Sequence, residues 1–224
     1  MSKHLQRDLE ILQRDLLALA ASVEEAIHKS THALQKREAE KAEQVIAGDS
    51  VIDQEENHIE EECLKILAMH QPVAVDLRRI AMALKINTDL ERMADLAEDI
   101  AGRALHLARL PVVAIPEKLQ RMADLATSMV RESLDAFVNL DARQARHVCR
   151  VDQEVDRYNN EIIQELVAAM KESPAKVEAE LSLFSVTRHL ERIADHATNI
   201  AEDVVFLVEG VIIRHRPAAV EGEE

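Results

Sequence analysis

Glycine and proline are scarce in this chain of 224 residues, which has four of the first and five of the second. An ordinary globular chain carries roughly 12% of the two together, and turns are where they are spent. Few turns mean long elements, which excludes a β-sandwich or barrel with its turn every ~8–12 residues. No Gly-x-Gly and no Gly-Lys-Ser/Thr occurs, so Rossmann and P-loop nucleotide sites are excluded too. The two cysteines, Cys63 and Cys149, stand far apart with no Cys-x-x-Cys. Neither a thiolate zinc site nor a disulfide framework is indicated, and a reducing cytoplasm is the expected compartment. The longest unbroken apolar run is six residues, 16–21, against the ~18–20 needed to span a bilayer. The opening MSKHLQRDLE has no apolar stretch of the kind a signal peptide carries. Positive charge is also short: 27 Lys and Arg face 42 Asp and Glu, a net charge of −15. That balance argues against nucleic acid or an anionic membrane as the main partner.

Apolar residues make up 47% of the chain, and Ala, Leu, Glu and Arg are abundant, which predicts an all-α fold. Breakers divide it into six helices, near 4–36, 38–69, 75–108, 117–139, 141–171 and 175–209. In the first, Leu5, Leu9, Leu12, Leu16, Leu19, Val23 and Ile27 recur in steps of three and four, marking one apolar face. Pro72 ends the second, and Ser173-Pro174 reads as cap and first-turn proline of the sixth. Between Pro111 and Pro116 lies the most strand-like fragment, which is too short to build a sheet and reads as a linker.

The two halves repeat. LERMADLAEDIAGR from Leu90 and LERIADHATNIAED from Leu190 match at 8 of 14 positions with an offset of 100. In the preceding helix the offset is 103, so that Ala42, Val45, Asp49, Ile52 and Asp53 face Ala145, Val148, Asp152, Val155 and Asp156. Chance similarity between Ala/Leu/Glu-rich helices would drift, whereas acids stay in register in two helices. The expected architecture is two tandem antiparallel three-helix bundles: residues 1–110, a linker 111–116, residues 117–210, and a flexible tail 211–224.

Residues i and i+4 share a helix face, about 6 Å apart along the axis. Glu91, Asp95 and Asp99 therefore form a ladder of three carboxylates, and Asp49 with Asp53 a ladder of two. Like charges so placed destabilise an isolated helix by roughly 0.2–0.5 kcal/mol per pair, and Asp is a poor helix former there. Broken local rules of this kind mark a functional site. A multivalent cation would compensate them, and carboxylates without thiolates favour hard or borderline ions. The second half offers Glu191, Asp195 and Asn199 with Asp152 and Asp156, Asn replacing one carboxylate. His189 and His196 add nitrogen ligands to the choice. The plain alternative is a solvated charged face.

The repeated Leu-Glu-Arg-(Met/Ile)-Ala-Asp segment, with Asp-x-x-x-Asp on the helix before it, resembles the PhoU family of phosphate-uptake regulators. The likeness runs from about Leu5 to Glu209, with Ala94 and Ala194 standing where the family often has Gly. It implies metal ions at both ladders, as multinuclear clusters of Fe or Zn, or with Mn or Mg. It further implies a cytoplasmic, homodimeric regulator and not an enzyme. Its partners would be the ATPase subunit of the phosphate ABC transporter and a phosphate-sensing histidine kinase, and its effect repression of the phosphate-starvation response. Two other readings compete. Glu25-x-x-His28 and Glu55-x-x-His58 have the spacing of a carboxylate-bridged di-iron oxidase. In a metal-free helical scaffold, Arg78, Arg79, Arg103, Arg188 and Arg192 would neutralise the acids.

Overall fold

The computed structural model describes residues 3–213. Six helices follow one another: α1 (Lys3–Lys36), α2 (Ala39–His70), α3 (Ala74–Arg109), α4 (Glu117–Asn139), α5 (Ala142–Glu172) and α6 (Val177–Glu209). No strand occurs among the described residues. Each helix end agrees with the sequence reading to within two residues. At the sixth helix the start differs in kind, because Pro174–Lys176 form a 3-10 turn. The Ser173 side chain makes no capping bond, and its carbonyl instead accepts from the Lys176 N–H at 3.0 Å. At α5 a side-chain cap does form: the Asp141 carboxylate accepts from the N–H groups of Arg143 and Gln144.

Helices α1, α2 and α3 pack on one another, and so do α4, α5 and α6; α3–α6 and α1–α4 contacts join the two bundles. Among the described residues α2 touches only α1 and α3, and α5 only α4, α6 and the 3-10 turn of Pro174–Lys176. One apolar core runs through both bundles, from Leu12, Leu16, Leu19 and Ile27 on α1 to Val186, Leu190 and Ile193 on α6. The joining helices carry small buried residues at helical spacing: Ala94, Ala97, Ala101 and Ala104 on α3, and Ala194, Ala197 and Ala201 on α6. Three ion pairs give their direction. Lys85 meets Asp203 at 2.5 Å, Asp89 meets His196 at 2.8 Å, and His106 meets Glu178 at 3.2 Å. Partner numbers fall on α6 as they rise on α3, so the two helices run antiparallel.

Residues 111–116 have no regular structure, yet Val113 is buried and the segment lies against the core. The Arg37 guanidinium donates to the carbonyls of Leu107 and Leu110, closing the end of α3 over this segment. In the apolar run of 204–208, Val204, Val205 and Leu207 are buried by the chain itself, whereas Val208 is exposed. Of the tail beyond it, Val211 and Ile212 are exposed, Ile213 is buried, and residues 214–224 lie outside the described residues.

Candidate functional site

The acidic ladders of the first repeat meet between α2 and α3. Asn87 on α3 sets the register, its amide N–H donating to the Glu56 carbonyl at 2.9 Å and to Glu56 Oε1 at 3.1 Å. Antiparallel packing from that point brings Asp49 and Asp53 opposite Glu91 and Asp95. Their mutual repulsion follows from that proximity. The Asp49 carboxyl is held above its usual range by desolvation, then by Asp53 and Asp95. Glu91 is raised by desolvation, then by Asp95, Glu56 and Asp53. Asp95 is raised in the same way, with Asp53 and Asp99 behind the desolvation. Two acids outside the predicted set join this face. Glu56 stands seven residues beyond Asp49, and Glu98 seven beyond Glu91; both are raised by desolvation and by neighbouring carboxylates. Reading i,i+4 steps alone missed them. The i, i+4, i+7 pattern of one helical face would have found both.

In the second repeat the face lies between α5 and α6 and is deeper. Burial pushes the Asp152 carboxyl up to about 7, with Asp156, Asp195 and Glu191 adding to the effect. Asp195 is raised by burial and Asp156, against the pull of His196, Arg188 and Arg192. Glu191 is raised by burial and Asp195 even though Arg188 donates to its Oε1 at 2.9 Å. Its second oxygen, Oε2, is buried and has no hydrogen-bond partner. Asn199, one turn beyond Asp195, is half-buried on the same helix. Asn159 follows Asp152 and Asp156 on α5 and occupies the place that Glu56 holds in the first repeat. It is 5% exposed, and its Oδ1 also lacks a partner.

The two histidines read from the sequence as extra ligands sit elsewhere. His196 Nδ1 pairs with Asp89 on α3 at 2.8 Å. His189 Nε2 lies 3.0 Å from the Ser185 hydroxyl, and its Nδ1 lies 4.0 Å from Asp99. Both therefore belong to the α3–α6 seam, and burial holds the His189 pKa down. The scaffold reading finds one neutralising pair, Arg188–Glu191; among the described residues Arg78, Arg79, Arg103 and Arg192 make no ion pair. The oxidase spacing finds no buried four-helix centre. Glu25 is exposed and pairs with Lys29 at 2.6 Å, Glu55 accepts from Ser22, and His28 and His58 are exposed.

Among the described residues no three His, Cys, Asp or Glu side chains already converge to hold an ion. The donor chemistry itself fits a hard or borderline cation. It is all oxygen, and among the described residues buried oxygens beside these faces have no hydrogen-bond partner: Asn87 Oδ1 at the first, Glu191 Oε2 and Asn159 Oδ1 at the second.

Fold and site together define a class: a tandem repeat of three-helix units, each with a carboxylate face between its second and third helices. The PhoU domain is matched twice, at residues 16–104 and 119–204. The phosphate-specific transport system accessory protein PhoU homolog of Aquifex aeolicus is 40% identical over 98% of this chain and 99% of its own length. The homolog from Pseudomonas putida is 38% identical over 96% of this chain and 84% of its own. Crystal structures of PhoU from Pseudomonas aeruginosa and Streptococcus pneumoniae superpose with TM-scores of 0.87 and 0.86, at 38% and 31% identity. They cover 92% and 93% of this chain and 99% and 98% of those structures. The chain belongs to the PhoU family.

Proposed function

We propose that this protein is an accessory regulator of phosphate uptake whose two carboxylate faces hold metal ions. The observation that carries the metal reading is the duplication of an under-neutralised acidic face at corresponding places in both repeats. Asp49, Asp53, Glu91, Asp95 and Asp99 would hold ions on the first face, and Asp152, Asp156, Glu191, Asp195 and Asn199 on the second. Bound cations would supply the positive charge that these faces lack. The residues' own part is to keep paired acids on rigid helices, so that only side chains move when charge is neutralised.

Near full-length similarity to phosphate-specific transport accessory proteins supports the regulatory role. No helix among the described residues is long and apolar enough to cross a membrane. The protein acts, in this reading, as a cytoplasmic link between the ATPase subunit of the phosphate transporter and the phosphate-sensing histidine kinase. It represses the starvation response when phosphate is plentiful and catalyses no reaction. Val208, Val211 and Ile212, exposed at the end of α6, give a homodimer apolar surface to cover.

Pull-down from a phosphate-replete lysate, at low and at high ionic strength, tests the link. Both proteins should be recovered at low salt and less of each at high salt, because acidic faces steer encounter with basic ones. Recovery of neither at low salt, or tight binding to duplex DNA, overturns it. Elemental analysis of untagged protein, with anomalous scattering to locate the ions, tests the metal reading.

A further inference from the structure

The two faces are copies in sequence but not in environment. The first carries seven acids, Asp49, Asp53, Glu56, Glu91, Asp95, Glu98 and Asp99; Asp53 and Asp95 are exposed, as are their counterparts Asp156 and Asp195, whereas Asp99 is exposed and its counterpart Asn199 half-buried. Glu56 of the first face is engaged by the Asn87 amide N–H, while Asn87 Oδ1 is buried without a partner; the second face holds two such oxygens. Gly48 precedes Asp49 and Gly102 follows Asp99 by three residues; a Cβ built on either would meet nothing within 4 Å. Gly102 is exposed on α3, whereas the space at Gly48 belongs to a groove between α1 and α2. The second repeat has Val151 and Glu202 at these two places, both half-buried. It also exchanges Glu56 for Asn159, and Asn87 for Thr187, whose hydroxyl donates to its own helix at the Leu183 carbonyl. No side chain thus stands in to satisfy Asn159, and its Oδ1 remains buried and unpaired beside the stripe of Asp152 and Asp156. In the first repeat the Glu56 charge reaches Glu91. By the same register Asn159 lies toward Glu191, whose Oε2 is the other unsatisfied oxygen of the second face.

A buried amide oxygen without a partner is costly. Two such oxygens at one acidic face have a common remedy, a desolvated cation. We propose that the faces are inequivalent sites: the α5–α6 face, completed by the Asn159 carbonyl oxygen, binds a cation tightly and fills first, and the shallower α2–α3 face fills later. This rests on the reading of both faces as metal sites. Greater burial strengthens ion–carboxylate attraction in the second site, and a neutral oxygen adds a ligand there without adding repulsion. In the first site water competes for every ligand, and seven acids suit ions that exchange with solvent.

Titration of the metal-free full chain with Mn²⁺ alone, read by calorimetry and by the electron paramagnetic resonance of the free ion, tests it. Two classes of binding are expected. Asp195→Asn and Asn159→Leu should each weaken the tight class by about tenfold or more, whereas Asp95→Asn and Glu56→Gln should weaken only the later class. Should Asn159→Leu fail to fold, Asn159→Asp takes its place and should keep the tight class. One class of equal sites, a tight class lost in Asp95→Asn, or one indifferent to Asn159→Leu overturns the inequivalence and leaves the metal reading standing. No binding of Mn²⁺, and none of Zn²⁺ or Fe²⁺ in the same assay, overturns the metal reading and this inference with it.

Discussion

Asp152 shows what a carboxylate at such a face does to the protein that carries it. Burial and three acidic neighbours lift its pKa from the usual carboxylate range to about 7. The folded state therefore holds this proton more tightly than the unfolded chain does. The group costs nothing below the unfolded pKa near 4 and costs progressively more as pH rises toward 7. Metal-free protein should accordingly melt at higher temperature at pH 5 than at pH 7.5. Asp152→Asn should raise the stability at pH 7.5 by on the order of 2 kcal/mol, seen as a higher melting temperature, and flatten the pH dependence. A variant less stable than its parent at pH 7.5 would mean that the charge is already compensated. Addition of a cation should reverse the order, because an ion that binds only the folded state stabilises it by mass action. Most of the face was legible in the sequence because i,i+4 acids announce themselves: Asp49 with Asp53, and Glu91 with Asp95 and Asp99. Glu56, Glu98 and Asn159 were not, since their part depends on which way α2 and α5 roll against their partners. His189 and His196 were misplaced for the same reason. One helical sequence shows a spacing but not which neighbour lies on each side.

At the scale of the element, α2 and α3 each carry an interior glycine that no neighbour requires. Gly48 and Gly102 are helical, and open space surrounds the place of a Cβ at both. Helix interiors prefer alanine to glycine by roughly 0.5–1 kcal/mol. Gly48→Ala should therefore stabilise the protein by about that amount in chemical denaturation, and a loss of stability would reveal a contact made only on binding. Arg37 is the opposite case. Its guanidinium satisfies two carbonyls at the end of α3, those of Leu107 and Leu110. Arg37→Ala should cost about 1–3 kcal/mol and speed amide exchange in the last turn of α3 and in 111–116. Pro72, Pro111, Pro116 and Pro174 made the α2–α3, α3–α4 and α5–α6 junctions readable, and the cap Asp141 marks the start of α5. That the 111–116 segment packs down, with Val113 buried, was not readable; it depends on Arg37, 70 residues or more away from its acceptors.

On the scale of the whole molecule, α3 and α6 form the antiparallel centre, and α2 and α5 lie outside, each confined to its own repeat. Buried alanines such as Ala94 and Ala194, 2% and 0% exposed, leave no room at the centre for larger residues. Ala94→Leu should cost about 1–3 kcal/mol by overpacking, seen as a lower urea midpoint with an unchanged slope. The repeat was visible in the sequence from the constant offset, and its antiparallel pairing was not. Pairing rests on particular contacts across the seam, Lys85 with Asp203 and Asp89 with His196, that have no counterpart under the repeat: position 185 is serine and position 103 arginine.

The antiparallel centre also settles where the first and last described turns lie. Asp8 in α1 pairs with His70 at the end of α2, beside the start of α3. Asp203 near the end of α6 reaches Lys85, eleven residues into α3. Both extremes of the described chain thus sit at one pole of the molecule, and the 111–116 crossing at the other. A circular permutant that opens at that crossing and joins residue 213 to residue 3 by a short flexible linker reverses the order of the repeats without moving a helix. It should refold to the same helix content and keep both acidic faces.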